Sequence, residues 1–269
     1  MSRFNSRIVT FISDFGLQDV YVGVMKGVIA QINPQIQIID LTHHIPPQNI
    51  AAGSFCLLNA YPYFPVGTIH VAVVDPGVGS QRRGVAVAFP GGYLVAPDNG
   101  LLSGILNIAP ATAAVELTNS RYWHSANPSS TFHGRDIFAP VAAHLASGVS
   151  LTELGVSIDP ASLTVLPLTK YEATNNGFLG RIQYIDHFGN LITNIPQELV
   201  EGKIWSVVAA QQAIPSCFTY SDAAVGELVS LIGSHGWVEI AVNGGNAQSR
   251  LGLEWGDSVS ILIPSKDVI

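Results

Sequence analysis

The sequence predicts two domains, an α/β domain with a mainly parallel sheet followed by an all-β, barrel-like domain. Three observations predict it. Strand and helix patterns alternate over about the first 150 residues, and beyond Gly177 they give way to short strands separated by turns. The length, 269 residues, fits one large domain or two smaller ones at about 150 residues each. The domains are expected at residues 1–168 and 177–269, with residues 164–176 reading as a linker.

Residues 8–12, Ile-Val-Thr-Phe-Ile, form the short β-branched apolar run of a buried strand. From Gln18 onward Tyr21, Met25, Val28, Ile29 and Ile32 recur at helical spacing. Asn33-Pro34 ends that helix, because the residue before a proline is pushed out of the helical region. Residues 36–41 read as a second strand, 50–61 as a second helix and 68–74 as a third strand. This β-α-β-α-β order implies parallel pairing with right-handed crossovers. Residues 84–89 and 93–96 flank Pro90-Gly91-Gly92, a hairpin whose glycines suit a tight turn. A helix at 101–108, a strand at 113–117 and a helix at 137–146, capped by Asp136, follow. Strands are expected at 178–185, 191–195, 204–210, 228–232, 237–242 and 258–263, a spacing that suits a small barrel or sandwich.

Charged residues make up 12% of the chain, about half the usual quarter, and the mean hydropathy is +0.34. Such a chain is not disordered, and so little polar surface implies apolar surface covered by other subunits. A net charge of −7 without any Lys/Arg-rich run argues against a nucleic-acid partner. The longest apolar stretches, such as residues 84–97, are broken by Gly and Pro and fall short of the ~20 residues that span a bilayer, so no membrane partner is expected. The N-terminal residues lack a signal-peptide apolar region, and Cys56 and Cys217 lack metal-type spacing. A cytoplasmic location is the expectation.

In open parallel sheets ligands bind beyond the carboxyl ends of the strands. Here those ends carry Ser13-Asp14-Phe15-Gly16, Thr42-His43-His44 and Asp75-Pro76-Gly77-Val78-Gly79. Asp14 alone is equally explained as a helix cap; three polar strand ends together favour a site. The loop from Asp75 to Arg82 and Arg83 sets an acid and a guanidinium close together, suited to a polarised water or an anion, or else to a structural turn with a salt bridge. No nucleotide-phosphate fingerprint is present. His133 lies just before the helix at 137–146, where a neutral imidazole is favoured; His144 reads as a core or interface residue. His43 and His44 point opposite ways in a strand, so no metal site is expected. In the second domain, Asp186, Phe188 and Asn190 close a strand, either as a β-turn or as a set able to hold an ammonium, a ring and a base edge. Gly233-Ser234-His235-Gly236 precedes a strand in which Glu239 either faces solvent or touches a ligand. No nucleophilic triad is apparent, which leaves attack by an activated water.

Six strings occur here in the order in which they occur in one known family: Ser13-Asp14-Phe-Gly, Asp75-Pro-Gly-Val-Gly, Ala96-Pro-Asp-Asn-Gly-Leu-Leu, Phe132-His133-Gly-Arg-Asp, Ile185-Asp-His-Phe-Gly-Asn190 and Gly233-Ser-His-Gly236. The chain resembles the S-adenosylmethionine (SAM) hydroxide adenosyltransferases, relatives of fluorinases and chlorinases, over nearly its whole length. The resemblance implies the same α/β plus β-barrel architecture, a homotrimer with sites between subunits, no cofactor and no metal. It implies hydrolysis of SAM to adenosine and methionine, with Asp75, Arg82 and His133 as the water-activating set. Asp14 then falls on the ribose carboxylate, and Asn190, Tyr220 and the backbone near Val242 and Asn243 on the adenine pocket. Asp186 and Ser234 fall on contacts to the methionine end, and Glu239 joins the substrate-binding set. Halogenating relatives lack the Asp and His and carry a small hydroxyl residue where this chain has Gly134. His235 stands where the fluorinase has an arginine, and the neighbours Arg82 and Arg83 both compete for the water. A halide-using adenosyltransferase and a non-catalytic SAM or adenosine sensor are the alternatives.

Overall fold

The structure is a computed structural model that describes residues 7–167 and 170–264. The N-terminal stretch read for targeting, residues 1–6, and the last expected domain residues, 265–269, lie outside the described residues. The chain divides into two compact units between Leu166 and Pro167.

The first unit runs β1 (Ile8–Ser13), α1 (Tyr21–Ile32), β2 (Gln37–Thr42), α2 (Ile50–Ala60), β3 (Thr68–Val73), β4 (Gly84–Phe89), β5 (Gly92–Pro97), α3 (Ser103–Ile108), β6 (Ala113–Glu116), α4 (Ala139–Ala146) and β7 (Val156–Ile158). Its seven-stranded sheet has the order β2-β1-β3-β5-β4-β6-β7. The sheet is mixed rather than mainly parallel. The pairs β1–β2, β1–β3 and β3–β5 are parallel, whereas β4–β5, β4–β6 and β6–β7 are antiparallel. The tight turn that pairs Phe89 with Gly92 reverses β4 against β5, and the later strands add to that antiparallel edge. Phe11, Val71 and Val95 of the sheet share one apolar core with Met25 and Ile29 of α1 and Val141 and Leu145 of α4. Asn49 caps α2 by accepting from the Ala52 amide at 2.9 Å.

Asp136 does not cap the helix after it. A π-helical turn, Gly134–Phe138, leads into α4, whose preceding residue, Phe138, offers no side-chain cap. The buried Asp136 carboxylate instead accepts from the Ser129 amide at 2.7 Å and from Arg135 Nε at 2.6 Å, so it ties the preceding loop to the turn.

The second unit contains β8 (Glu172–Thr174), β9 (Gly177–Ile185), β10 (Leu191–Pro196), β11 (Ser206–Ala209), β12 (Gln212–Pro215), β13 (Leu228–Ile232), β14 (Trp237–Val242), α5 (Ala247–Leu251) and β15 (Ser258–Leu262). Its antiparallel sheet follows β12-β11-β15-β9-β10-β14-β13, with β8 on β9. The free ends curl toward each other: Cys217 N donates to Ser230 O at 2.8 Å, and Ser230 Oγ donates to Pro215 O at 3.0 Å. The nearly closed barrel encloses Ile182, Leu191, Val207, Ile240 and Ile261. β8 falls within the stretch read as a linker, since its three residues are all exposed and carry no apolar alternation. Among the described residues no helix is long and apolar enough to cross a membrane.

His70 of β3 gives this fold a pH dependence. It is 1% exposed, its Nδ1 lies 2.8 Å from Thr10 Oγ1, and burial lowers its pKa to about 4. The folded state therefore holds His70 neutral, while the unfolded chain takes up its proton near the ordinary value of 6.5. The stability it leaves intact above pH 6.5 is lost as pH falls toward 4, by about 3 kcal/mol in full. Denaturant unfolding at pH 7.5 and 4.5 should show His70→Asn losing less stability between the two than the wild type. Equal losses would remove His70 from the account.

Candidate active site

Asp75 follows β3 at the carboxyl end of the parallel half of the sheet. Two successive turns, Val78 N to Asp75 O (3.2 Å) and Ser80 N to Gly77 O (3.1 Å), bring the chain back so that Arg82 faces Asp75. Arg82 Nε donates to both carboxylate oxygens, at 2.9 and 3.1 Å, and its Nη2 also donates to Asp75 Oδ2. The same Nη2 lies 2.7 Å from His133 Nδ1. A guanidinium only donates, so Nδ1 is the acceptor and the neutral ring carries its proton on Nε2. Burial first, then the Arg82 charge, holds the His133 pKa below its usual value, against the opposing pull of Asp75 and Asp136. The Phe138 ring stands 5.4 Å from the Arg82 guanidinium carbon. Asp75 and Arg82 are 6% and 10% exposed, so the cluster is largely screened from bulk water.

Arg83, the rival guanidinium, is engaged elsewhere. Its Nε and Nη2 donate to Asp98 Oδ2 at 2.9 and 2.6 Å, and Nη2 also reaches Ser162 O at 2.6 Å. Asp14, at the end of β1, accepts from the Gln48 amide through Oδ2 at 2.8 Å. Gln48 has φ +63°, a left-handed conformation uncommon outside glycine. Nothing in the sequence marked Gln48, apart from the two prolines before it.

In the barrel, Asp186 Oδ1 accepts from Phe188 N (2.9 Å) and Asn190 N (2.8 Å), and its Oδ2 accepts from Asn190 Nδ2 (3.0 Å). The carboxylate thus shapes its own turn and leaves the Phe188 ring 71% exposed. Glu239 of β14 does not face solvent, being 3% exposed. The Tyr220 hydroxyl donates to its Oε1 at 2.8 Å, and His235 Nε2 lies 3.1 Å from its Oε2. Burial, the Glu239 bond and the Glu239 and Asp186 charges raise the Tyr220 pKa above its ordinary value. Because Trp237 N donates to His235 Nδ1 at 3.2 Å, His235 donates through Nε2 to Glu239. Ser234 is exposed beside it, and Val242 is buried. Asn243 donates its amide to Glu227 O at 3.0 Å and its side chain to Ala223 O at 2.8 Å.

The structure therefore brings together Asp75, Arg82 and His133 in the first unit, and Asp186, Asn190, Tyr220 and Glu239 in the second. Sequence reasoning missed the hydrogen bonds of Tyr220 and His235 to Glu239, because a lone acid in an apolar strand gives no sign of its partners. Among the described residues, no group of three or more His, Cys, Asp or Glu is placed to hold a metal ion.

The model of the SAM hydroxide adenosyltransferase N-terminal domain matches residues 9–155, and that of the C-terminal domain matches residues 180–260. The chain is 42% identical over 254 residues to an "(R)-S-adenosyl-L-methionine hydrolase" of Salinispora tropica, covering 94% of this chain and 97% of the relative. It is 40% identical to the protein so named from Thermus thermophilus, covering 95% and 100%. A fluorinase of Actinoplanes sp. is 28% identical, covering 94% and 97%. Among solved structures, an uncharacterized conserved protein from Thermotoga maritima superposes with TM-score 0.89 at 37% identity, covering 94% of this chain and 99% of that one. With both domain models matched in order, over a fold whose two units carry the same ordered motifs, the chain belongs to the SAM hydroxide adenosyltransferase family.

Proposed function

We propose that this protein hydrolyses SAM to adenosine and L-methionine, with water attacking the ribose C5′. The observation that carries the reading is the Arg82 guanidinium held between Asp75 and His133. In the reaction a C5′–O bond forms as the C5′–S bond breaks, the sulfonium sulfur keeps the electron pair, and the water gives up one proton. Methionine leaves as a neutral thioether, so no acid has to protonate it. The groups that can take the water's proton are the Asp75 carboxylate and His133 Nδ1, each now turned to Arg82. A water that displaces part of the Arg82 contact would lie beside the cation, which favours hydroxide character.

Asp14 binds the two ribose hydroxyls in this reading, Asn190, Tyr220 and the backbone at Val242 and Asn243 bind adenine, and Asp186 and Ser234 bind the methionine end. Both His235 nitrogens already have protein partners, so His235 serves Glu239 rather than the methionine carboxylate, and Glu239 acts by holding Tyr220. The substrate is the (R) sulfonium epimer named for the relatives. The low charge fraction fits a homotrimer with sites shared between subunits, and SAM as substrate fits a cytoplasmic location.

Chromatography of purified protein incubated with each sulfonium epimer tests the reading. Adenosine and methionine are expected, faster from the (R) epimer; a halogenated nucleoside with added halide, or no product, overturns it. In isotopically labelled water the 5′-oxygen of adenosine should carry the solvent label. Unlabelled product would require a nucleophile from the protein.

A further inference from the structure

Behind Asp14 lies a buried polar chain that the reaction above does not use. We infer that His43 is a positioning residue for Asp14, acting through the Ser13 hydroxyl at the point where the β1–β2 ladder becomes irregular. The inference rests on the reading that Asp14 holds the ribose.

The parallel pairing of β1 with β2 slips by one residue between Phe11 and Ile12, directly before Ser13 and Asp14. The β1–β3 ladder runs unbroken to Ser13, but on the β2 side regular main-chain pairing does not carry the register into the Asp14 loop, and there four other bonds take over. Ser13 Oγ lies 2.7 Å from His43 Nδ1, with both side chains buried. Gly16 N donates to His43 O at 2.7 Å, Ile45 N donates to Ser13 O at 3.3 Å, and Phe15 N donates to Ser13 Oγ at 3.3 Å. Asp14 sits inside this knot, with Oδ2 held by Gln48 N and Oδ1 left as the oxygen for a ligand.

The chemistry of His43 fixes the direction of the Ser13 bond. His43 Nε2 lies 3.2 Å from Asp40 Oδ1 but outside hydrogen-bond alignment with it. Two lone pairs at that distance would repel, so Nε2 carries the proton and faces the carboxylate. Nδ1 is then the acceptor, and Ser13 must donate to it. Asp40 is itself anchored by Lys26 Nζ at 2.5 Å. Burial lowers the His43 pKa, as do the Lys26 and His44 charges, while Asp40 opposes them. A neutral ring of fixed tautomer thus aims the Ser13 hydroxyl, and with it the peptide leading into Asp14.

The two histidine nitrogens have different amide mimics, which gives the test. Asparagine places an acceptor near Nδ1, and glutamine places its amide near Nε2. His43→Asn should keep KM for SAM within about threefold of wild type. His43→Gln and Ser13→Ala should raise it roughly five- to tenfold, with kcat within twofold and adenosine affinity by calorimetry falling in parallel. A residue that only supports folding would change the amount of folded protein for all three variants without ranking their KM values in this order. Asp14→Ala, measured alongside, separates the layers of the argument. If it leaves KM unchanged, both the ribose reading and this inference fall. If it raises KM while His43→Gln and Ser13→Ala match wild type, this inference alone falls. The ¹⁵N shifts of His43 in the wild-type protein should report an Nε2–H tautomer, and an Nδ1–H ring overturns the inference even if no variant folds.

Discussion

His133→Ala is expected to lower kcat by about 10²–10⁴-fold while SAM still binds. His133 is the neutral ring of the cluster, with Nδ1 held 2.7 Å from Arg82 Nη2, and in the proposed reaction its partner is water rather than substrate. Losing a group that acts only on the reacting water lowers kcat and kcat/KM together. Arg82→Lys should fall nearly as far as Arg82→Ala, because one ammonium cannot reproduce the fork that spans both Asp75 oxygens and His133. The acid limb of the kcat profile checks the same assignment. Burial and Arg82 lower the His133 pKa from 6.5, so the base form persists and kcat should hold below pH 6.5 before it declines. Asp75 opposes that shift, so residual activity in Asp75→Asn should keep its acid limb at lower pH still. If His133→Ala abolished SAM binding but kept kcat in saturating substrate, His133 would belong to the substrate pocket instead.

Much of the fold was legible in the sequence, for identifiable reasons. Strands β1 and β3 are buried on both faces and read as short runs rich in β-branched residues, and Gly91-Gly92 announced the hairpin. The antiparallel addition of β6 and β7 to that hairpin was not legible, since strands of four and three residues give no sign of their direction. The same holds for β12, too short and exposed to show alternation. At the site, spacing alone brought Asp75 and Arg82 into one loop. It could not choose between Arg82 and Arg83, because that choice depends on Asp98 and Ser162, which are distant in sequence. Nor could it give the inward turn of Glu239, which rests on Tyr220 and His235 meeting across the barrel end. Long-range partners of polar side chains carry no periodic signal, and the resemblance to a family supplied residue types without their hydrogen bonds.

Gly79→Ala should cost about 10²-fold in kcat without touching any reacting group. Gly79 has φ +77°, and an added Cβ would lie 2.3 Å from the Ser130 carbonyl oxygen. That conformation costs an alanine about 1–2 kcal/mol, and the collision is with backbone, which no rotamer change relieves. The two segments forced apart are the loop joining Asp75 to Arg82 and the one that leads three residues later to His133. The 2.7 Å contact between Arg82 and His133 bridges the same two segments. Displacement of catalytic groups by about 1 Å can cost about 10²-fold in rate. Gly77→Ala is the matched control two residues earlier. There an added Cβ meets only side-chain atoms, Arg82 Cγ at 3.4 Å, Ser80 Oγ at 3.5 Å and Asp75 Oδ1 at 3.9 Å, all at ordinary contact distance. Its kcat should stay within a few-fold of wild type. Equal kcat for the two variants, with folded protein confirmed by circular dichroism, would mean that the packing of Gly79 on Ser130 does not set the geometry of the water-activating cluster.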